Sequence, residues 1–204
     1  MNEEEKEKRK MEGGKMLYWI VNALEYLVKK GIALVILLTF SSHDIFFGTE
    51  GMIVIGLYAL GSKGKKSWKE KKETEYHRWM APEAIKGELK EATESSLSFA
   101  VGMISYEVLT FKQPFDDCDG EEAGVRIKKG ERPNLDLLDE SPLKSIIEKC
   151  LQENPVKRPS FDELKRTLSA YLPQPVAVEG ESPITKLPDE TDTNLTKLWS
   201  KNPR

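Results

Sequence analysis

The stretch Leu97–Leu109, LSFAVGMISYEVL, is apolar almost all the way round a helical wheel. A surface helix shows a polar face, and one that lacks it has to be enclosed on every side. Whatever this chain folds into must therefore wrap other elements around a central helix. The wrapping material is present. Met16, Leu17, Ile20, Ala23, Leu24 and Leu27 follow helical spacing and stop at Lys29-Lys30-Gly31, two lysines in a last turn followed by glycine. Ser141-Pro142 sets an N-cap with proline at the first helical position, and Leu143, Ile146, Ile147, Cys150 and Leu151 line one face behind it. Ser160-Phe161-Asp162-Glu163 reads as a capping box that opens a last helix through Leu164, Leu168 and Tyr171.

Around these helices the signals are local. Ile45–Phe47 and Met52–Ile55 are short β-prone runs across Gly48-Thr49-Glu50-Gly51, the pattern of a small hairpin. Residues 61–78 hold seven bases and three acids without apolar periodicity and read as an exposed loop. Residues 1–15 carry five acids and five bases and read as a charged, solvated leader, either irregular or a frayed helix, with no apolar face to bury. Residues 173–204 are proline-rich and polar and are expected to form a disordered tail, with Leu195–Trp199 as a candidate short docking element. The folded domain is expected over residues 16–172.

Composition excludes several function classes. With 204 residues and 39% hydrophobic content the chain makes one domain with a core, plus tails. A net charge of −3 gives no general pull toward nucleic acid or an anionic membrane. Cys118 and Cys150 form no C-x-x-C motif, which excludes a disulfide scaffold and a cysteine zinc module. His43 and His77 alone cannot build a histidine metal site. Ile32–Phe40, IALVILLTF, is broken by Ser41-Ser42-His43-Asp44, well short of the ~20 apolar residues of a membrane span. It reads as a buried core segment. The start, MNEEEKEKRK, is no signal peptide, so a cytoplasmic location is expected.

The most specific stretch is Arg78–Glu83, RWMAPE. It resembles the end of the activation segment of protein kinases, with the A-P-E motif at Ala81-Pro82-Glu83, and is most like the tyrosine-kinase-like group of Ser/Thr kinases. SLSFAVGMISYEVLTFKQPF (96–115) resembles the family's central buried helix and the loop behind it. IKKGERP (127–133) resembles the helix and loop that follow, and CLQENPVKRPSF (150–161) the closing motif, usually C-L-x-x-D-P-x-x-R-P-S-F. The resemblance implies a mainly α fold: a protein-kinase-like C-terminal helical lobe with a small β-hairpin. It also implies that Glu83 pairs with Arg158 and ties the activation segment to the helices, with Trp79 and Pro82 as further structural residues.

The catalytic positions depart from that family. Asp44-Ile45-Phe46-Phe47 aligns with N-I-L-L, which puts Asp44 at the metal-binding asparagine. Thr39 then stands at the H-R-D aspartate, behind Leu37 and Leu38, and Ser41 replaces the catalytic-loop lysine. The hairpin leads not into D-F-G but into Leu57-Tyr58-Ala59. Threonine has no group that titrates near neutrality and cannot be a general base. Leucine offers no oxygen to Mg²⁺. The family's helix-starting aspartate aligns with Leu97, and its substrate-facing threonine with Tyr76. No Gly-rich loop and no V-A-I-K lysine precede residue 16, so the N-terminal lobe is expected to be absent.

Weaker signals have plainer readings. Gly56–Gly61 followed by Ser62-Lys63 is a near miss of a phosphate loop, with the lysine and hydroxyl in swapped order, and a degenerate D-F-G turn explains both glycines. The lysines at 63–72 alternate with glutamates as in a solvated loop; Ser62, Ser67 and Thr74 are hydroxyls within or beside it. Cys150 reads as a buried, inert thiol, and Cys118, among Asp116, Asp117 and Asp119, lacks electropositive surroundings. The resulting expectation is an inactive, pseudokinase-type module that binds a protein partner, a kinase or a substrate, and uses no cofactor. Two alternatives stay open: a fragment of an active ATP- and Mg-dependent Ser/Thr kinase, and a non-functional gene remnant.

Overall fold

A computed structural model describes residues 3–31, 40–47, 53–56, 74–87, 93–138 and 142–172. The turn at 48–51, the segment 32–39, the basic stretch 57–73, Ser141 and the tail from 173 lie outside these residues, and so do the catalytic-position residues Thr39 and Leu57.

The described part is helical, with one hairpin. Helix α1 spans Glu3–Lys29, the hairpin strands β1 and β2 span Ile45–Phe47 and Ile53–Ile55, and a single turn, α2, spans Pro82–Ile85. Helices α3 (Glu94–Thr110), α4 (Gly120–Lys128), α5 (Pro142–Cys150) and α6 (Phe161–Leu168) follow. Helix α3 is the hub. Every residue from Ser96 to Tyr106 is buried, as the all-round apolar pattern requires. Helix α1 packs on one side of it and α5 on another, and α6 closes against α1. The polar groups of α3 are satisfied: the Ser98 hydroxyl donates to the Pro159 carbonyl at 2.7 Å, and that of Ser105 to the Val101 carbonyl at 2.7 Å.

The capping chemistry mostly follows the sequence. Gly31, at φ +78°, ends α1 and donates to the Val28 carbonyl. Ser160 caps α6 by accepting from the Glu163 N–H at 3.3 Å, half of the expected box, while the Glu163 carboxylate meets Lys149 at 3.6 Å. The hairpin pairs Ile45 with Ile55, Phe46 with Val54 and Phe47 with Ile53. Ile45, Ile53 and Ile55 turn toward the core, and Phe46 and Val54 turn outward.

One expectation gives way. Helix α1 runs unbroken across positions 15 and 16, so the residues read as a leader without a face to bury are its first turns. Gly13 and Gly14 mark no break; both are buried. A Cβ on Gly14 would lie 2.3 Å from the Tyr171 ring, so glycine is what lets the turn at Ser169–Tyr171 pack onto the helix.

Candidate functional site

The residues aligned with the family's catalytic loop form a closed turn at the base of the hairpin. Phe40 and Ser41 are buried and lead into a 3₁₀ turn at Ser42–Asp44. The Asp44 carboxylate does not point away from its own loop. Its Oδ2 accepts from the Ser41 N–H at 3.0 Å and from the Ser41 hydroxyl at 3.1 Å. The Asp44 carbonyl accepts from the Gly56 N–H at 2.8 Å, which fixes the turn to the far end of β2. Burial raises the Asp44 carboxyl above the ordinary range, and the two Ser41 hydrogen bonds only partly offset this. Burial and then the Asp44 charge also raise the Tyr76 phenol. The position aligned with a substrate-facing threonine thus carries a phenol within electrostatic reach of Asp44.

Trp79 joins this turn to the hub. It is fully buried, its indole N–H donates to Glu107 Oε2 of α3 at 3.0 Å, and the His43 ring stands edge-on at 5.3 Å. Pro82 opens α2 at its first turn, where its missing N–H costs nothing.

The Glu83–Arg158 pair expected from the resemblance is present and bidentate. Arg158 donates from Nη1 to Glu83 Oε1 at 2.7 Å and from Nη2 to Oε2 at 3.0 Å. The Ser96 hydroxyl adds a bond to Oε1 at 2.8 Å. Arg158 also reaches the carbonyls of Ser95, Gln152 and Glu153, and its guanidinium lies 5.0 Å from the centre of the Phe99 ring. Burial pushes the Glu83 carboxyl up, but the Arg158 bonds and charge, with Ser96, outweigh it and hold the group below its ordinary value. The site residues therefore fall into two places: Asp44 in the turn, and Trp79, Pro82, Glu83 and Arg158 where the segment meets the helices.

Two contributors were not legible as such. Arg78, counted among the bases of an exposed loop, is buried. Its Nε donates to Glu75, and its two terminal nitrogens donate to the carbonyls of Pro114, Phe115 and Cys118. Glu75 in turn accepts from the Gly120 N–H at 3.1 Å. A Cβ on Gly120 would lie 2.3 Å from the Thr74 carbonyl oxygen, so only glycine allows α4 to start against this segment. Thr74 sits at that contact, whereas Ser62 and Ser67 lie outside the described residues. The motif signal in RWMAPE was available for Arg78; the carbonyl cage it fills is long-range and was not.

The cysteines divide. Cys150 is buried and its thiol is pushed up to about 12 by desolvation, an inert packing group. Cys118 does have a cation nearby, contrary to the sequence reading, with Arg126 Nη1 at 3.8 Å. That guanidinium is itself engaged by Asp117 and Glu131, both at 2.8 Å.

Among the described residues no three His, Cys, Asp or Glu side chains gather in a metal-binding group, and Asp44 Oδ2 accepts both Ser41 donors. Among the same residues no helix is long and apolar enough to cross a membrane.

Comparison with known proteins gives a consistent picture. The family described as protein tyrosine and serine/threonine kinase matches residues 1–168. The serine/threonine/tyrosine-protein kinase HT1 of Arabidopsis thaliana is 28% identical over 153 residues, 74% of this chain and 38% of that protein. Human mitogen-activated protein kinase kinase kinase 7 is 31% identical over 96 residues, 46% of this chain and 16% of that protein. The chain therefore spans well under half the length of these relatives.

Proposed function

From its membership of the protein tyrosine and serine/threonine kinase family, we propose that this chain is a catalytically inactive kinase-like module whose function is to bind a protein partner, a kinase or a kinase substrate. The observation that carries the reading is the closed turn at Asp44. The one carboxylate in the catalytic-loop turn accepts both donors of Ser41, the residue standing where the family keeps its lysine. Thr39 and Leu57 support it from the sequence, since neither side chain can supply a base or a hard-metal ligand. Losing base, metal ligand and lysine together removes the positioned charge on which phosphoryl transfer depends. Additional chain would not return these residues, which argues against a fragment of an active kinase. The intact Glu83–Arg158 brace and the enclosed hub argue against a remnant that cannot fold. The proposal includes a cytoplasmic location, in keeping with two free thiols, and a partner that is neither nucleic acid nor membrane, in keeping with a net charge of −3.

A thermal-shift titration and a phosphoryl-transfer assay, both with Mg-ATP, test this reading. No shift and no transfer are expected. Transfer to a generic protein substrate that disappears on Asp44→Ala would overturn it.

A further inference from the structure

Helix α1 buries one face and leaves the other uncovered. Leu17, Ile20, Val21 and Leu24 are essentially inaccessible, whereas Trp19 is 45% exposed and Tyr26 40%. The uncovered face is ordered. Glu12, Lys15, Trp19, Asn22, Tyr26 and Lys29 succeed one another at alternating steps of three and four, the spacing of a coiled-coil seam. Among the described residues nothing packs over this seam: Glu12, Lys15, Trp19, Tyr26 and Lys29 are exposed and Asn22 is half-buried, with the exposed Lys29 ammonium meeting Glu25 of its own helix at 3.0 Å.

The seam is self-complementary in one orientation only. Laid parallel on a copy of itself, it sets Glu12 against Glu12, Lys15 against Lys15 and Lys29 against Lys29. Laid antiparallel about a two-fold axis between Trp19 and Asn22, it pairs each Glu12 with a Lys29 and each Lys15 with a Tyr26. One axis serves all three pairs, as an isologous contact demands. The Lys15–Tyr26 pair would be a cation–π contact, and Tyr26 already holds a lysine within the chain, with Lys30 Nζ at 5.5 Å from its ring centre. Trp19 would lie at the centre, where binding energy concentrates, and Asn22 beside it would fix the register.

The geometry points to a second copy of this chain as the occupant of the α1 seam, packed antiparallel as a two-fold dimer. The contact runs about 26 Å along the helix, from Glu12 to Lys29. A single helix–helix face is at the low end of specific interfaces, about 1,200 Å² or less, so the dimer is weak and concentration-dependent. This proposal is independent of whether phosphoryl transfer is lost.

Sedimentation velocity of the full chain, from micromolar to millimolar concentration, tests it. A reversible monomer–dimer equilibrium is expected, weakened more than about tenfold by Trp19→Glu. Glu12→Lys and Lys29→Glu should each weaken it by about tenfold, because the two-fold axis makes each substitution count twice. An equimolar mixture of these two variants should restore wild-type affinity, since each then meets its opposite charge. Mixing cannot rescue a variant that has failed to fold, so recovery reads pairing itself. A chain that stays monomeric throughout, a dimer indifferent to Trp19→Glu, or a mixture no tighter than its components would overturn the proposal.

Discussion

Two carboxylates, the half-buried Asp44 of the catalytic-loop turn and the buried Glu83 of the A-P-E motif, differ in their surroundings. Glu83 has a buried guanidinium, and its carboxyl is held below the ordinary range. Among the described residues Asp44 has the neutral donors of Ser41 at hydrogen-bond distance, and its carboxyl is raised. Both pay the desolvation penalty, but only Glu83 has it offset. The cation at Glu83 ties the segment that carries it to the helices. On the proposed reading, the molecule keeps the charge its fold needs and has lost charges that its family's chemistry needs, at Thr39, Ser41 and Leu57.

This contrast can be broken most directly at Arg158. Arg158→Met leaves Glu83 as a buried anion without its partner and should cost on the order of 3–5 kcal/mol in urea denaturation. A loss below about 1 kcal/mol would show that the pair is not the brace described. Acid titration gives a smaller, sharper test. A carboxyl held low in the folded state contributes stability above its unfolded value, and that contribution disappears as the pH falls through the folded value. The wild type should lose stability as the pH drops below the carboxyl range, and Glu83→Gln, though less stable at neutrality, should show a flatter acid limb. Asp44 carries the opposite sign and the smallest effect. Its raised carboxyl is a cost at neutral pH that vanishes once the group is protonated. Asp44→Asn keeps an acceptor for Ser41, so it should raise the melting temperature slightly at pH 7, with the gain shrinking on acidification. A destabilised Asp44→Asn would mean that the charge itself holds the turn.

The hub helix and the existence of the hairpin were readable from the residues, because all-round apolarity admits only enclosure and two β-prone runs flank a glycine-bearing turn; the register was not, since Phe47 pairs with Ile53 and not with Met52. The Glu83–Arg158 pair came from motif resemblance, since neither charge differs locally from a surface one. Two features were hidden for physical reasons. Gly13 and Gly14 lie in the stretch read as a solvated leader, yet their missing side chains are what admit Leu109 and Tyr171. Arg78 counts as one more base in a basic stretch. What makes it an anchor is a set of carbonyls 36 to 40 residues further along the chain, and no local pattern announces them.

The enclosure of Ser96–Tyr106 also sets a clock. With every one of these residues buried, their amide hydrogens have no route to solvent through a frayed end or a loosened loop. They exchange only when the surrounding helices separate, so deuterium entering this stretch reports the opening of the whole folded unit. A protease that needs the hub unfolded must wait for the same event.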